Sequence, residues 1–127
     1  MTKAFFLALI ASFFCFLGCH TEKTTFRVII KNHSQYTLNL SISDATAYGF
    51  PAQADIKPQT EFLLSEVTEK GRTDNYVFPG IPKSILTVTL DSNKTLEKSL
   101  SRADSYQNTQ TDKTWTSVFI LVDSLVK

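Results

Sequence analysis

Few residues in this chain could do chemistry, and their spacing limits what that chemistry is. Two cysteines, Cys15 and Cys19, stand four positions apart in the stretch CFLGCH. Such a pair could be a redox couple or half of a zinc site, but either use needs partners held by a folded domain. Here the pair closes an apolar run instead. The two histidines are His20, beside Cys19, and His33, in a polar turn. A serine hydrolase needs Ser, His and an acid brought to one point. Ser34 adjoins His33, yet neighbouring side chains on an extended chain point apart. Asp91, Asn93, Thr95 and Glu97 alternate like a fragment of a calcium loop. The full loop also demands a central glycine and a bidentate glutamate at its twelfth position, and neither is present. A turn followed by an exposed strand face accounts for these residues, so no metal and no other cofactor is expected. The acids Asp44, Asp55, Glu61, Glu66, Glu69 and Asp74 are scattered. Glycoside hydrolysis would need two of them facing each other across a cleft, and Glu61 with Glu66 is the pair that could flank one. Gly18, Gly49, Gly71 and Gly80 lie too far apart to form a phosphate-cradling loop.

One pattern repeats. Tyr48-Gly49-Phe50-Pro51 and Tyr76-Val77-Phe78-Pro79 share Tyr-x-Phe-Pro, and both fall in expected loops. Tyr48, Phe50, Tyr76 and Phe78 could form an aromatic surface that stacks on sugar rings or anchors a partner protein. They could equally plug the open end of a core, with each proline ending an extended piece. Plugging is the simpler account, and the sequence leaves both open.

The elements that must position these residues begin after a distinctive leader, MTKAFFLALIASFFCFLG. Lys3 supplies a positive start, and residues 4–17 are uncharged and almost wholly apolar. That is the length of a secretory h-region and is short of the roughly 20 residues that span a bilayer. No pair of small residues marks an ordinary cleavage site; Leu17-Gly18-Cys19 closes the run instead. In this the chain resembles the bacterial lipoproteins, in which a small residue precedes a cysteine that is lipidated and becomes the first residue. The resemblance implies that residues 1–18 are removed with Cys15, that Cys19 carries the lipid, and that residues 19–24 form a tether to the membrane. Extended, the five residues after Cys19 reach roughly 17 Å, so the domain would sit close to the membrane. The resemblance further implies the cell envelope, the outer membrane ahead of the inner one. Lipoproteins exported to the outer cell face in some lineages carry an acidic run after the cysteine; here Glu22 is the one acid there, so the resemblance implies a periplasm-facing position. Loss of Cys15 and acylation of Cys19 would leave no thiol for a disulfide.

Composition narrows the function classes. The formal charge is +1, and removal of Lys3 balances it. Without a basic stripe, nucleic acid is not an expected partner. The membrane, through the lipid, and a membrane-proximal protein or glycan are. The N-x-S/T triplets at Asn32, Asn39 and Asn93 have no role behind a bacterial leader.

The dominant hydrophobic period is two. Phe26, Val28 and Ile30 share one face; Tyr36, Leu38, Leu40 and Ile42 alternate with polar residues. Residues 25–43 read as a first hairpin. A short strand is expected at 54–56. The stretch TEFLLSEV alternates poorly but reads as strand in an all-β setting, with a helix over 61–70 as the alternative. Residues 71–82 read as a long loop with a short extended piece at 76–78. SILTVTLD and TLEKSL read as a second hairpin and 101–113 as a loop. TWTSVFILVDSLV, apolar on both faces from Val118 to Val122, reads as a central strand. The sum is one domain over 25–127: an all-β antiparallel β-sandwich, immunoglobulin-like or similar, with six to seven strands. The envelope leader on such a domain also resembles small single-domain envelope lipoproteins of gut-type bacteria. The function expected is a binding or assembly module rather than an enzyme. The alternatives are a small envelope hydrolase using paired carboxylates, or an inhibitor of an envelope enzyme that presents loop 71–82.

Overall fold

The computed structural model describes residues 22–127. Cys15, Gly18, Cys19 and His20, which carry the lipoprotein reading, lie outside the described residues. Seven strands form two sheets: β1 (Lys23–Asn32), β2 (Leu38–Ile42), β3 (Gln53–Ile56), β4 (Thr60–Lys70), β5 (Leu86–Leu90), β6 (Gln107–Thr111) and β7 (Thr114–Leu121). One sheet runs β4-β1-β7-β6 and the other β3-β2-β5. A single turn of helix, α1 (Ala45–Tyr48), lies between β2 and β3. The domain is an all-β sandwich, and its core is one cluster fed by both sheets. Val28, Ile30, Leu64, Phe119 and Leu121 come from the first; Leu38, Leu40, Ile42, Ala54, Ile56 and Leu90 come from the second.

Alternation explains most of these elements. On β1 the even positions from Thr24 to Asn32 face inward, apart from partial exposure at Phe26. Thr25, Arg27, Ile29 and Lys31 face outward, where Arg27 pairs with Glu66 at 2.6 Å and Lys31 with Glu61 at 3.4 Å. Glu61 and Glu66 are therefore not the flanks of a pocket but the cross-strand partners of two cations on the outer face of the sheet. The expected strand over TEFLLSEV is β4, and its poor alternation has a cause. The β1–β4 register passes from Val28↔Ser65 to Ile29↔Leu63, so Leu64 is the extra residue of a bulge. The bulge turns both Leu64 and Ser65 inward.

β7 is central, as its two apolar faces predict. Its pairing with β1 is parallel, whereas the other pairings among the described strands are antiparallel. The earliest and latest strands thus lie side by side in the middle of one sheet. The two-layer architecture is one that immunoglobulin domains also have.

Three local expectations are corrected. Residues 25–43 are not a hairpin: β1 and β2 belong to opposite sheets, and Asn32–Thr37 crosses between them. TLEKSL does not return beside β5. Thr95 exchanges backbone hydrogen bonds with Lys127 at 2.7 and 2.9 Å, and Leu96 bridges Val126. Leu96 and Leu100 instead face Leu86, Val88 and Leu90 across a cavity of about 360 Å³. The segment 101–113 contains β6, which joins β7 through a tight turn at Asp112, φ 54°.

The buried phenol of Tyr106 ties these pieces together. It donates to the Leu100 carbonyl at 2.6 Å, and its ring meets Phe78 edge-on at 4.8 Å. Burial raises its pKa well above the ordinary phenol value of 10.0. The native state therefore holds this proton where the unfolded chain releases it, and stability falls as pH rises above about 10. Between pH 9 and pH 11 the wild type should lose about 1 kcal/mol through this group. Tyr106→Phe should show a shallower fall in urea melts over that range.

Candidate aromatic cleft

The two Tyr-x-Phe-Pro stretches meet in space. Tyr48, Phe50, Tyr76 and Phe78 line one cleft of about 470 Å³, together with Phe26, Val28, Ser65, Val67 and Glu69. Each wall has a local cause. The first is α1 and its exit. Asp44 enters with φ 53° and Gly49 leaves with φ 76°, so one helical turn is bracketed by two left-handed residues. The Phe50 N–H donates back to the Ala45 carbonyl at 2.9 Å, closing the turn. Gly49 rests on β4, where an added Cβ would stand 3.0 Å from Val67 Cγ2. That close approach sets Tyr48 and Phe50 over the inner face of β4, beyond the part that the smaller sheet covers.

The second wall is the loop after β4. The Trp115 indole N–H donates to the Thr73 carbonyl at 3.0 Å. The Phe78 N–H donates to Asn108 Oδ1 at 3.4 Å, and the same oxygen accepts from the Ser117 hydroxyl. Gly80 and Ile81 then dock on residues 100–102, with the Ile81 N–H donating to the Leu100 carbonyl at 3.0 Å. These bonds leave the rings in two linked rows. Phe26 lies 4.6 Å from Tyr76, which lies 6.1 Å from Trp115. Phe50 lies 6.4 Å from Phe78, which leads through Tyr106 to Phe119.

The four rings divide the two roles that the sequence offers. Phe78 is 6% exposed and belongs to the core, so it is a plug and back wall. Phe50 and Tyr76 pack against the core while keeping part of their surface open. Tyr48 is 50% exposed, and Val77, between Tyr76 and Phe78, is 63% exposed. The polar groups of the cleft are Ser65, the Tyr48 and Tyr76 phenols, Thr46 and the Glu69 carboxylate. Burial first, and then the nearby Glu69 charge, raise the Tyr76 pKa. In register Glu69 stands opposite Thr24, so this rim lies at the end where the chain enters β1.

The other candidates are engaged elsewhere. The Ser34 hydroxyl bonds Asn32 Oδ1 at 2.6 Å and is fully buried, while His33 is exposed. The Asp91 carboxylate accepts from the Thr37 N–H at 2.8 Å, and Glu97 pairs with Lys127 at 2.6 Å. No group of three or more metal-ligating side chains occurs among the described residues. No helix among them is long and apolar enough to cross a membrane. Phe26, Val67 and Glu69 were not legible as cleft residues. They follow simple strand alternation on β1 and β4, and only the approach of α1 and the 71–80 loop makes them walls. Compared with family models, curated proteins and solved structures, the chain gives no match.

Proposed function

We propose that this protein is a lipid-anchored module of the bacterial cell envelope, held through an acylated Cys19, that binds a ligand or partner in the aromatic cleft. The observation that carries the reading is the convergence of two Tyr-x-Phe-Pro stretches, far apart in sequence, on one open cleft. Rings used only as plugs need not remain open to solvent, yet Tyr48 stays half exposed beside a cavity of ligand size. The leader MTKAFFLALIASFFCFLGC supports the anchor. β1 begins at Lys23, so the tether after Cys19 shortens from five residues to three, 20–22, roughly 10 Å at full extension. With Glu69 at that end of the sheet, the cleft rim would lie near the outer membrane surface, on its periplasmic side in this reading. A binding partner would then be membrane-proximal.

The test uses the full chain expressed in a bacterium. A photo-crosslinking residue at exposed Val77 should give a discrete adduct in the membrane fraction. Tyr48→Ala with Tyr76→Ala should abolish that adduct without changing membrane association. Cys19→Ala should release the protein from the membrane and lose incorporation of labelled acyl chains. An adduct that survives both tyrosine substitutions would overturn the cleft as the binding site. Full acyl labelling of the Cys19→Ala chain would overturn the anchor.

A further inference from the structure

We infer that the cleft takes a small organic ammonium ion, a tetraalkylammonium or alkylammonium group held against the tyrosine and phenylalanine rings. The inference rests on the reading of the cleft as a binding site and goes on to name its ligand class. Three features carry it. First, Phe26, Tyr48, Phe50 and Tyr76 line the open part of the cleft, and aromatic faces attract cations through the ring quadrupole. Secondly, Glu69 is the one charged side chain in the lining, and no lysine or arginine lines the cleft. Glu69 belongs to no ion pair among the described residues, whereas the other acids of β4, Glu61 and Glu66, are both paired. Its charge is felt inside the cleft, since it adds to burial in raising the Tyr76 phenol. Thirdly, the cleft volume of about 470 Å³ lies within the range of small-molecule sites.

Charge then separates the ligand classes. An anion would meet a carboxylate and no cation. A neutral ring could stack on the tyrosines but would draw nothing from the Glu69 charge. An organic cation satisfies both the rings and the carboxylate. A compact inorganic cation is a poor fit, because Glu69 is the one carboxylate in the lining and the other side-chain oxygens, on Thr46, Tyr48, Ser65 and Tyr76, are neutral hydroxyls.

The experiment uses the full chain in detergent, with choline as probe and 3,3-dimethylbutan-1-ol as its uncharged isostere. Ring currents should move the choline N-methyl protons upfield as it binds. Trp115, the chain's one tryptophan, should report through its contact with Tyr76. Choline should bind saturably and on the order of fivefold or more tighter than the isostere. Glu69→Gln, at an exposed and unpaired position, should weaken choline by a similar factor and leave the isostere unchanged. Tyr76→Phe should keep most of the affinity, and Tyr76→Ala should lose it. Competition by phosphatidylcholine vesicles would assign the ammonium to a lipid headgroup, and lack of competition to a free solute; both agree with the inference. Equal affinity for choline and isostere, insensitive to Glu69→Gln, would overturn the cation while leaving the cleft as a binding site. Absence of saturable choline binding in a chain whose Val77 adduct still forms would also overturn it.

Discussion

Asn32→Asp is expected to destabilise the domain by about 4 kcal/mol at pH 7, although it changes one NH₂ group to an oxygen. Asn32 is fully buried where the chain leaves β1 and crosses to the opposite sheet. Its amide nitrogen donates to the Tyr36 carbonyl at 2.7 Å and to the Ile56 carbonyl at 2.9 Å. Its amide oxygen accepts from the Ser34 N–H at 3.0 Å and from the Ser34 hydroxyl at 2.6 Å. Both donors and both acceptor positions are used, so one side chain joins the end of β1, the start of β2 and the end of β3. The rest of the crossover is equally accounted for. The His33 N–H donates to Leu121, that of Gln35 to Asp123, that of Tyr36 to the Ser34 hydroxyl, and that of Thr37 to Asp91. The ionised variant would aim a carboxylate oxygen at two carbonyl oxygens in a buried site. Protonation relieves part of this by restoring one donor. Folding thus favours the neutral acid, and the substituted carboxyl would have a folded pKa above its unfolded value near 3.9. The stability gained by protonation is present below that unfolded value and is lost as pH rises through the folded one. Urea melts at pH 4 and pH 7 should therefore show a smaller deficit at pH 4. Asn32→Ala should cost about 3 kcal/mol at both, through the unsatisfied partners it leaves. A deficit for Asn32→Asp below 1 kcal/mol at pH 7 would show that the crossover does not depend on this side chain.

The same crossover shows why sequence reading reached the fold class and missed its wiring. Alternation in FRVIIKN and YTLNLSIS identifies two strands correctly, because a half-buried strand imprints its two faces on the chain. It does not say which strand lies beside which. Asn32-His33-Ser34-Gln35 has the composition of a hairpin turn, and hydrogen bonds to Ile56, Leu121 and Asp123, distant in sequence, make it a bridge between sheets. β6 was illegible for the opposite reason. QNTQT carries no apolar residue, since nearly all of that edge strand is exposed, and pairing with β7 defines it. In β4 the signal was present but broken at the Leu64 bulge. The candidate site was legible only as an echo. Tyr48, Phe50, Tyr76 and Phe78 could be picked out because their motif repeats. Glu69, the cleft's charge, lies in TEK at the end of β4 and looks like any solvated acid.

Gly80→Ala is expected to cost about 3 kcal/mol or more and to remove one wall of the cleft with it. Gly80 has φ 93°, a conformation that an L side chain resists. A Cβ there would stand 2.5 Å from the carbonyl carbon of Ser101, 2.7 Å from its oxygen and 2.8 Å from the Arg102 nitrogen. All three atoms are backbone, so no rotamer change relieves the overlap. The strand of chain they belong to is itself fixed, with Leu100 buried and its carbonyl accepting from both the Ile81 N–H and the Tyr106 hydroxyl. The loop must therefore move, and it carries Phe78 two residues away, wedged between Phe50 and Tyr106. Gly71→Ala provides the contrast. Its φ of 105° is as unusual, but an added Cβ meets nothing within 4 Å. That substitution should cost only the conformational strain, roughly 1–2 kcal/mol, and leave the rings in place. The difference between the two in urea melts isolates the contact with Ser101. Loss of the upfield shift of bound choline in Gly80→Ala alone would tie that contact to the cleft. Equal stability losses in the two variants would mean that loop 76–81 is held by its aromatic packing and not by the seat of Gly80 on the backbone beneath it.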